Sequence, residues 1–134
     1  MTKILKNYIN GQWCESSDSR LRDVINPATG DILAKVPAGS KQDINDAADS
    51  AQKAWYKWRN TPPSQRIQYL FKMKQIIEEN SDEIAEICTG ECGKTFAESK
   101  AEIVRAVENI EVACGIPKLL QGDFSEDIAT GIDE

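Results

Sequence analysis

The sequence predicts an α-rich α+β fold, with short N-terminal β-strands and a hairpin followed by three to four helices. Two observations predict it. Turn signals and short β-branched runs fill residues 1–39, whereas from Ile44 onward apolar residues recur at steps of three and four. A third bounds it: 134 residues make one ordinary domain, able to hide roughly two-thirds of its unfolded surface. Apolar residues at 40% and charged residues at 28% give a globular balance, not a disordered one.

The elements follow in order. Tyr8-Ile9 and Gln12-Trp13 flank Asn10-Gly11, the dipeptide whose two positions tolerate the positive φ of a tight hairpin turn. Glu15 to Arg20 is polar and loop-like. Asp23-Val24-Ile25 reads as a strand, Asn26-Pro27-Ala28-Thr29-Gly30 as a turn, and Ile32 to Val36 as the next strand, ended by Pro37 and Gly39. Ser40 is then a good N-cap with Asp43 in the first turn. Ile44, Ala47, Ala48, Ala51, Ala54, Trp55 and Trp58 carry an amphipathic helix to about Asn60, with Trp13, Trp55 and Trp58 expected as core anchors.

Thr61-Pro62-Pro63-Ser64 starts a second helix, which holds Ile67, Leu70, Phe71, Met73, Ile76 and Ile77. Asn80 with Glu83 reads as a capping box for a third, carrying Ile84, Ile87 and Cys88 and broken by Gly90 and Gly93. The last helix starts near Thr95 and runs to about Gly115. Its main stripe is Ile103, Val107, Ile110 and Cys114; the reverse side holds Ala101 and Val112, so the helix is expected to be covered on both sides. Residues 40–121 thus form the helical part, and 122–134 an irregular tail.

Composition excludes several function classes. Sixteen Lys and Arg against 22 Asp and Glu give a net charge of −6, a poor match to nucleic acid, which needs clustered cations. The absence of histidine removes Ser-His and Cys-His nucleophile pairs and most zinc sites. No apolar run suits a signal peptide or a membrane span, so a cytoplasmic protein is expected. Cys14, Cys88, Cys92 and Cys114 form no C-x-x-C and are expected as reduced, mostly buried thiols. A Cys88–Cys92 redox pair is the rival reading, although one helical turn does not favour a disulfide. Glu78, Glu79, Asp82, Glu83 and Glu86 read as a solvated helix face, not a metal site. Lys94 without a glycine-rich loop reads as a solvated or capping residue.

Taken in order, Tyr8-Ile9-Asn10-Gly11-Gln12-Trp13, Asn26-Pro27-Ala28-Thr29-Gly30, Val36-Pro37, Ala54-Trp55, Trp58, Pro62-Pro63-Ser64-Gln65-Arg66 and Glu91-Cys92-Gly93-Lys94-Thr95 resemble the opening of the NAD(P)-dependent aldehyde dehydrogenase superfamily. The resemblance covers the chain to about Gly122. The segment Glu102 to Gly115, with its Arg-x-x-Glu-Asn-x-Glu pattern, is similar to the methylmalonate-semialdehyde dehydrogenases, a CoA-acylating branch that includes malonate-semialdehyde enzymes. Gly122-Asp123 and Ile128 to Thr130 resemble the same branch. Cys92 departs from the pattern, standing where the family usually has Asn or Thr. The family is also three to four times as long, which implies an N-terminal fragment of an α/β aldehyde dehydrogenase-like fold.

The resemblance implies NAD and CoA as cofactors of the full-length enzyme, a small carboxylated aldehyde as its substrate, and a homo-oligomer. It also implies that the catalytic cysteine and the dinucleotide site lie beyond residue 134. No residue here is then catalytic, cofactor-binding or metal-binding, and the fragment alone is expected to be inactive. Arg105 matches the family arginine proposed to bind the substrate carboxylate, a task its planar fork suits. Spacing alone favours a plain salt bridge to Glu102 or Glu108; it is the resemblance that favours substrate binding. Asn109 is open between facing a pocket and bonding back along its own helix. The alternative function is a stand-alone truncated helical module without catalysis. Such a module would cover the apolar back of the last helix with a partner and stay monomeric alone, whereas an enzyme fragment with that face bare is expected to self-associate.

Overall fold

The computed structural model describes residues 2–133. The chain begins with five short strands: β1 (Lys3–Ile4), β2 (Asn7–Ile9), β3 (Gln12–Cys14), β4 (Leu21–Ile25) and β5 (Ile32–Pro37). β2 and β3 form the expected hairpin, paired Tyr8 to Trp13. Its turn uses the left-handed region at both Asn10 (φ 53°) and Gly11 (φ 75°), the conformation that Asn-Gly supplies cheaply. β4 and β5 are antiparallel across the Asn26–Gly30 turn, where the Asn26 side chain accepts a hydrogen bond from the Ala28 amide (2.9 Å). β1 adds to β5 in parallel, giving the order β1-β5-β4. Sequence reading misses β1, because two residues carry no alternation to detect.

Five helices follow: α1 (Lys41–Trp58), α2 (Pro63–Glu79), α3 (Ser81–Cys92), α4 (Phe96–Cys114) and a single turn, α5 (Ile116–Leu119). α5 exceeds the expected three to four because one turn shows no helical period. Ser40 caps α1 as predicted, in a reciprocal box with Asp43. The box predicted at Asn80 and Glu83 does not form. Asn80 instead donates its amide to the Ile76 carbonyl (2.7 Å), closing the end of α2. The third helix also runs through Gly90 and stops only at Gly93, whose φ of +68° ends it in the left-handed region. A Cβ there would lie 2.8 Å from Pro27 Cγ, so the end of α3 rests directly on the β4–β5 turn.

α4 packs against α2 and α3. Lys74 of α2 reaches Glu111 (3.4 Å), and Lys100 bonds Asp82 and Ser81 of α3, both at 2.8 Å. The fully buried Ser99 shares a hydrogen bond with Thr89 of α3 (2.9 Å). Among the described residues only Ala85, Ser99 and Ile103 are buried.

The expected core is therefore largely missing. A globular monomer of 14.9 kDa exposes about 7,000 Å², whereas this chain exposes 10467 Å². The tryptophan anchors are a correction of the same kind: Trp13, Trp55 and Trp58 are 69%, 49% and 40% exposed. The cysteines are also not buried, Cys92 being exposed and Cys14, Cys88 and Cys114 half-buried. The cause is shared. The apolar faces are present in the sequence, but among the described residues no element packs over most of them. No helix is long and apolar enough to cross a membrane, and no cluster of three or more acidic or thiol groups suits a metal ion among the described residues.

Candidate functional site

The candidate site is the outer face of α4. The helix is set by the Thr95–Glu98 capping box. Glu98 accepts from the Thr95 hydroxyl (2.8 Å) and amide (3.0 Å), which hold its carboxyl below the ordinary range. At 100° per residue, Ile103, Val107, Ile110 and Cys114 form one stripe, and all four are buried or half-buried as predicted. Arg105 projects from the opposite side. It is exposed, together with Ala101, Val104, Glu108 and Val112.

The ion pairs of α4 show how the carboxylates near Arg105 are engaged. Glu102 turns to Lys94, which bonds its Oε2 and holds its carboxyl below the ordinary range. Lys94 is thereby neither solvated nor capping; it is the partner that occupies Glu102. Among the described residues, no carboxylate lies within ion-pair distance of the Arg105 guanidinium. Only its carbonyl is engaged, by the Asn109 side-chain amide (2.9 Å). That bond also settles Asn109, which bonds back along its own helix. The outer face of α4 therefore presents the exposed Arg105 on the same side as Ala101 and Val112.

A second feature has no signal in the residue pattern. α2, α4 and α5 enclose an apolar groove of about 240 Å³, lined by Trp58, Ile67, Leu70, Ala113, Ile116 and Pro117 among others. Arg66 borders it, and its Nε is buried without a hydrogen-bond partner. The Pro62-Pro63-Ser64-Gln65-Arg66 run carries part of the family resemblance, but nothing in its spacing marks an unpaired nitrogen. Arg105 does not line this groove.

Residues 13–131 match the profile of the aldehyde dehydrogenase family. The chain is 44% identical over 131 residues to a malonate-semialdehyde dehydrogenase of Bacillus pumilus, covering 98% of this chain and 27% of that protein. It superposes on the crystal structure of a methylmalonate-semialdehyde dehydrogenase from Oceanimonas doudoroffii with a TM-score of 0.87 and 38% identity, covering 99% of this chain and 27% of that one. An NAD-dependent benzaldehyde dehydrogenase from Corynebacterium glutamicum matches with a TM-score of 0.82 at 28% identity, over 94% of this chain and 28% of that one. The chain thus spans about 27% of the length of the curated relatives it matches. The profile match, the identities and the shared arrangement of strands and helices agree: this chain belongs to the aldehyde dehydrogenase family.

Proposed function

We propose that this chain is the N-terminal part of an NAD-dependent, CoA-acylating malonate- or methylmalonate-semialdehyde dehydrogenase. Its task in that enzyme is to wall the substrate funnel. The observation that carries the reading is the unpaired guanidinium of Arg105 on the bare face of α4. A semialdehyde substrate has a free carboxylate at the end opposite its reacting carbon. A fork that accepts it in two parallel hydrogen bonds fixes the aldehyde's orientation.

Oxidation in such an enzyme needs a cysteine nucleophile, an oxyanion hole and a dinucleotide site. None of the four cysteines here is set up for that task. Cys92, the exposed one, has its thiol pushed up by burial and by its neighbour Cys88, and a thiol held protonated is a weak nucleophile. There is no G-x-G-x-x-G turn for a dinucleotide. This chain alone is therefore assigned no turnover, and NAD and CoA are assigned to segments it does not contain. Its four free thiols fit a reducing compartment such as the cytoplasm.

The test is Arg105→Gln in a full-length enzyme carrying this segment. Loss of a charge-assisted contact of roughly 1.5–3 kcal/mol predicts a fall of about ten- to a hundredfold in kcat/KM for the carboxylated aldehyde. Propanal, which has no carboxylate, should be nearly unaffected. Equal losses for both aldehydes overturn the assignment.

The exposed Val104 and Val112 also favour a second reading, a stand-alone module whose α4 face binds a partner chain. Sedimentation discriminates the two. A part of a larger enzyme self-associates through its bare faces as concentration rises, whereas a self-sufficient module stays monomeric and melts in one cooperative step.

A further inference from the structure

The groove between α2, α4 and α5 has a volume of about 240 Å³ and an apolar lining that includes Ile67, Leu70, Ile116 and Leu120. Two cations mark it. Arg66 is the charged residue of the lining, and its Nε is buried without a hydrogen-bond partner. Lys118 stands exposed between the lining residues Pro117 and Leu120. A buried donor left unpaired is costly, and an acceptor that reaches it recovers that cost. The groove therefore suits an apolar side chain followed closely by a carboxylate.

The tail of the chain has that composition. Residues 122–133 carry Asp123, Glu126, Asp127 and Asp133 and neither Lys nor Arg. Among the described residues none of these carboxylates is in an ion pair. Phe124 stands 72% exposed in their midst. Glu126 lies two residues beyond it, on the same side of an extended segment. The tail keeps its own shape through the Asp127 amide bonded to Asp133 (2.9 Å) and the Ala129–Ile132 bridge. Neither bond involves Phe124, so seating that ring in a neighbour's groove breaks neither. Within its own chain Phe124 stays outside the groove.

We propose that this groove receives the acidic tail of a second copy of the chain, with Phe124 seated among the apolar residues and the Glu126 carboxylate accepting from Arg66 Nε. The area at hand is ample. The chain exposes roughly 3,500 Å² more than a globular monomer of its mass, several times the roughly 800 Å² per partner that a standard interface covers. Each copy gives a tail and takes one, so the same patch serves on both sides and the arrangement closes as a two-fold dimer. The proposal agrees with the self-association expected of a part of a larger enzyme and names the surfaces that meet. It does not depend on the substrate assigned to Arg105.

The experiment is sedimentation equilibrium of the whole chain, with circular dichroism confirming the helix content of each variant. The expected result is a monomer–dimer equilibrium. Phe124→Ser and Arg66→Glu should each weaken dimerisation about tenfold or more, the size of effect typical of removing one partner of a buried contact. Glu126→Lys added to Arg66→Glu should restore it. Because a change at the half-buried Arg66 can unsettle α2, a photoreactive benzoylphenylalanine in place of Phe124 gives a second readout in an otherwise unchanged chain. Isotope-labelled and unlabelled copies are mixed and irradiated. Crosslinks between the two kinds should fall on the groove residues of α2, α4 and α5. A monomer at every concentration, dimers that Phe124→Ser leaves intact, or crosslinks confined to one copy's own groove overturn the proposal. Such a failure leaves the Arg105 reading standing, because that reading is tested by aldehyde kinetics in a full-length enzyme.

Discussion

α1 and α4 are 18 and 19 residues long, and each begins at a reciprocal capping box. They have opposite fates. α4 buries Ser99 and Ile103 and is tied by ion pairs to α2 and α3. α1 buries nothing. Its links to the rest include the serine network at its N-terminus, a bond from Ser50 to Asn10 (3.3 Å) and the edge-on contact of Trp58 with Tyr69 of α2 (5.5 Å between ring centroids). Its alanine stripe is exposed and so is Trp55, whereas Trp58, at its last turn, borders the groove on α2. An apolar stripe and a good cap are enough to specify a helix, but burial needs a second surface within the same chain. α4 has two such surfaces and α1 has almost none.

That contrast is broken most sharply by deleting one isoleucine from each helix. Ile103 is 8% exposed and Ile44 is 69% exposed. Ile103→Ala should cost about 2–4 kcal/mol, the usual range for a buried aliphatic truncation. Ile44→Ala should cost under about 0.5 kcal/mol, as for a surface change. Urea titrations followed by helical circular dichroism compare them. Similar midpoints for the two variants would mean that α4 is no better anchored than α1.

The next effect concerns the joint between the helices and the sheet. Gly93→Ala places a Cβ 2.8 Å from Pro27 Cγ at a residue with φ of +68°. Backbone strain and the clash together should cost about 1–3 kcal/mol. Gly11→Ala has the same kind of φ (+75°) but nothing within 4 Å of the added carbon, so it carries the strain without the clash. A difference between the two in thermal melts measures the contact. Equal shifts would show that the end of α3 does not rest on the turn.

Much of this architecture is readable from residues. Asn10-Gly11 announces the hairpin because two successive positive φ angles have few other solutions. Ser40 with Asp43 and Thr95 with Glu98 mark helix starts because a short polar side chain is the cheapest acceptor for an orphan amide. The two-sided character of α4 is legible from period alone, and with it the side from which Arg105 projects. What period cannot show is which surface meets which. Trp13, Trp55 and Trp58 read as core because large indoles are costly to leave in water, yet the pattern does not say whether the covering element lies in the same 134 residues. Asn80 likewise carries a valid cap signal, but it serves the helix before it rather than the one after. The pairing of Lys94 with Glu102 depends on how α3 turns into α4, a tertiary fact. That pairing engages Glu102, one of the two carboxylates that spacing puts within reach of Arg105.

The smallest effects lie in the two caps, and here α1 holds the advantage. Ser40→Ala and Thr95→Ala should each cost about 1 kcal/mol. Their dependence on pH separates them further. Asp43 accepts bonds from the Ser16 hydroxyl and from the Ser17 and Ser40 amides, which hold its carboxyl well below the ordinary carboxylate range. Glu98 is held down by Thr95 alone among its hydrogen-bond partners. A carboxyl with a lowered folded pKa contributes stability that is whole above its unfolded value of about 4 and is lost as pH falls through the folded value. The gap between the parent chain and Asp43→Asn should therefore be full at pH 7 and narrow below about pH 4, read as helix content or amide exchange along α1. The same comparison for Glu98→Gln should show a smaller gap that closes at higher pH, because fewer groups hold that carboxylate. An Asp43→Asn gap that does not change with pH would mean that the link from α1 to residues 16–17 depends on side-chain shape, which asparagine keeps, and not on charge. The helix with no packed face would then have no electrostatic tether either.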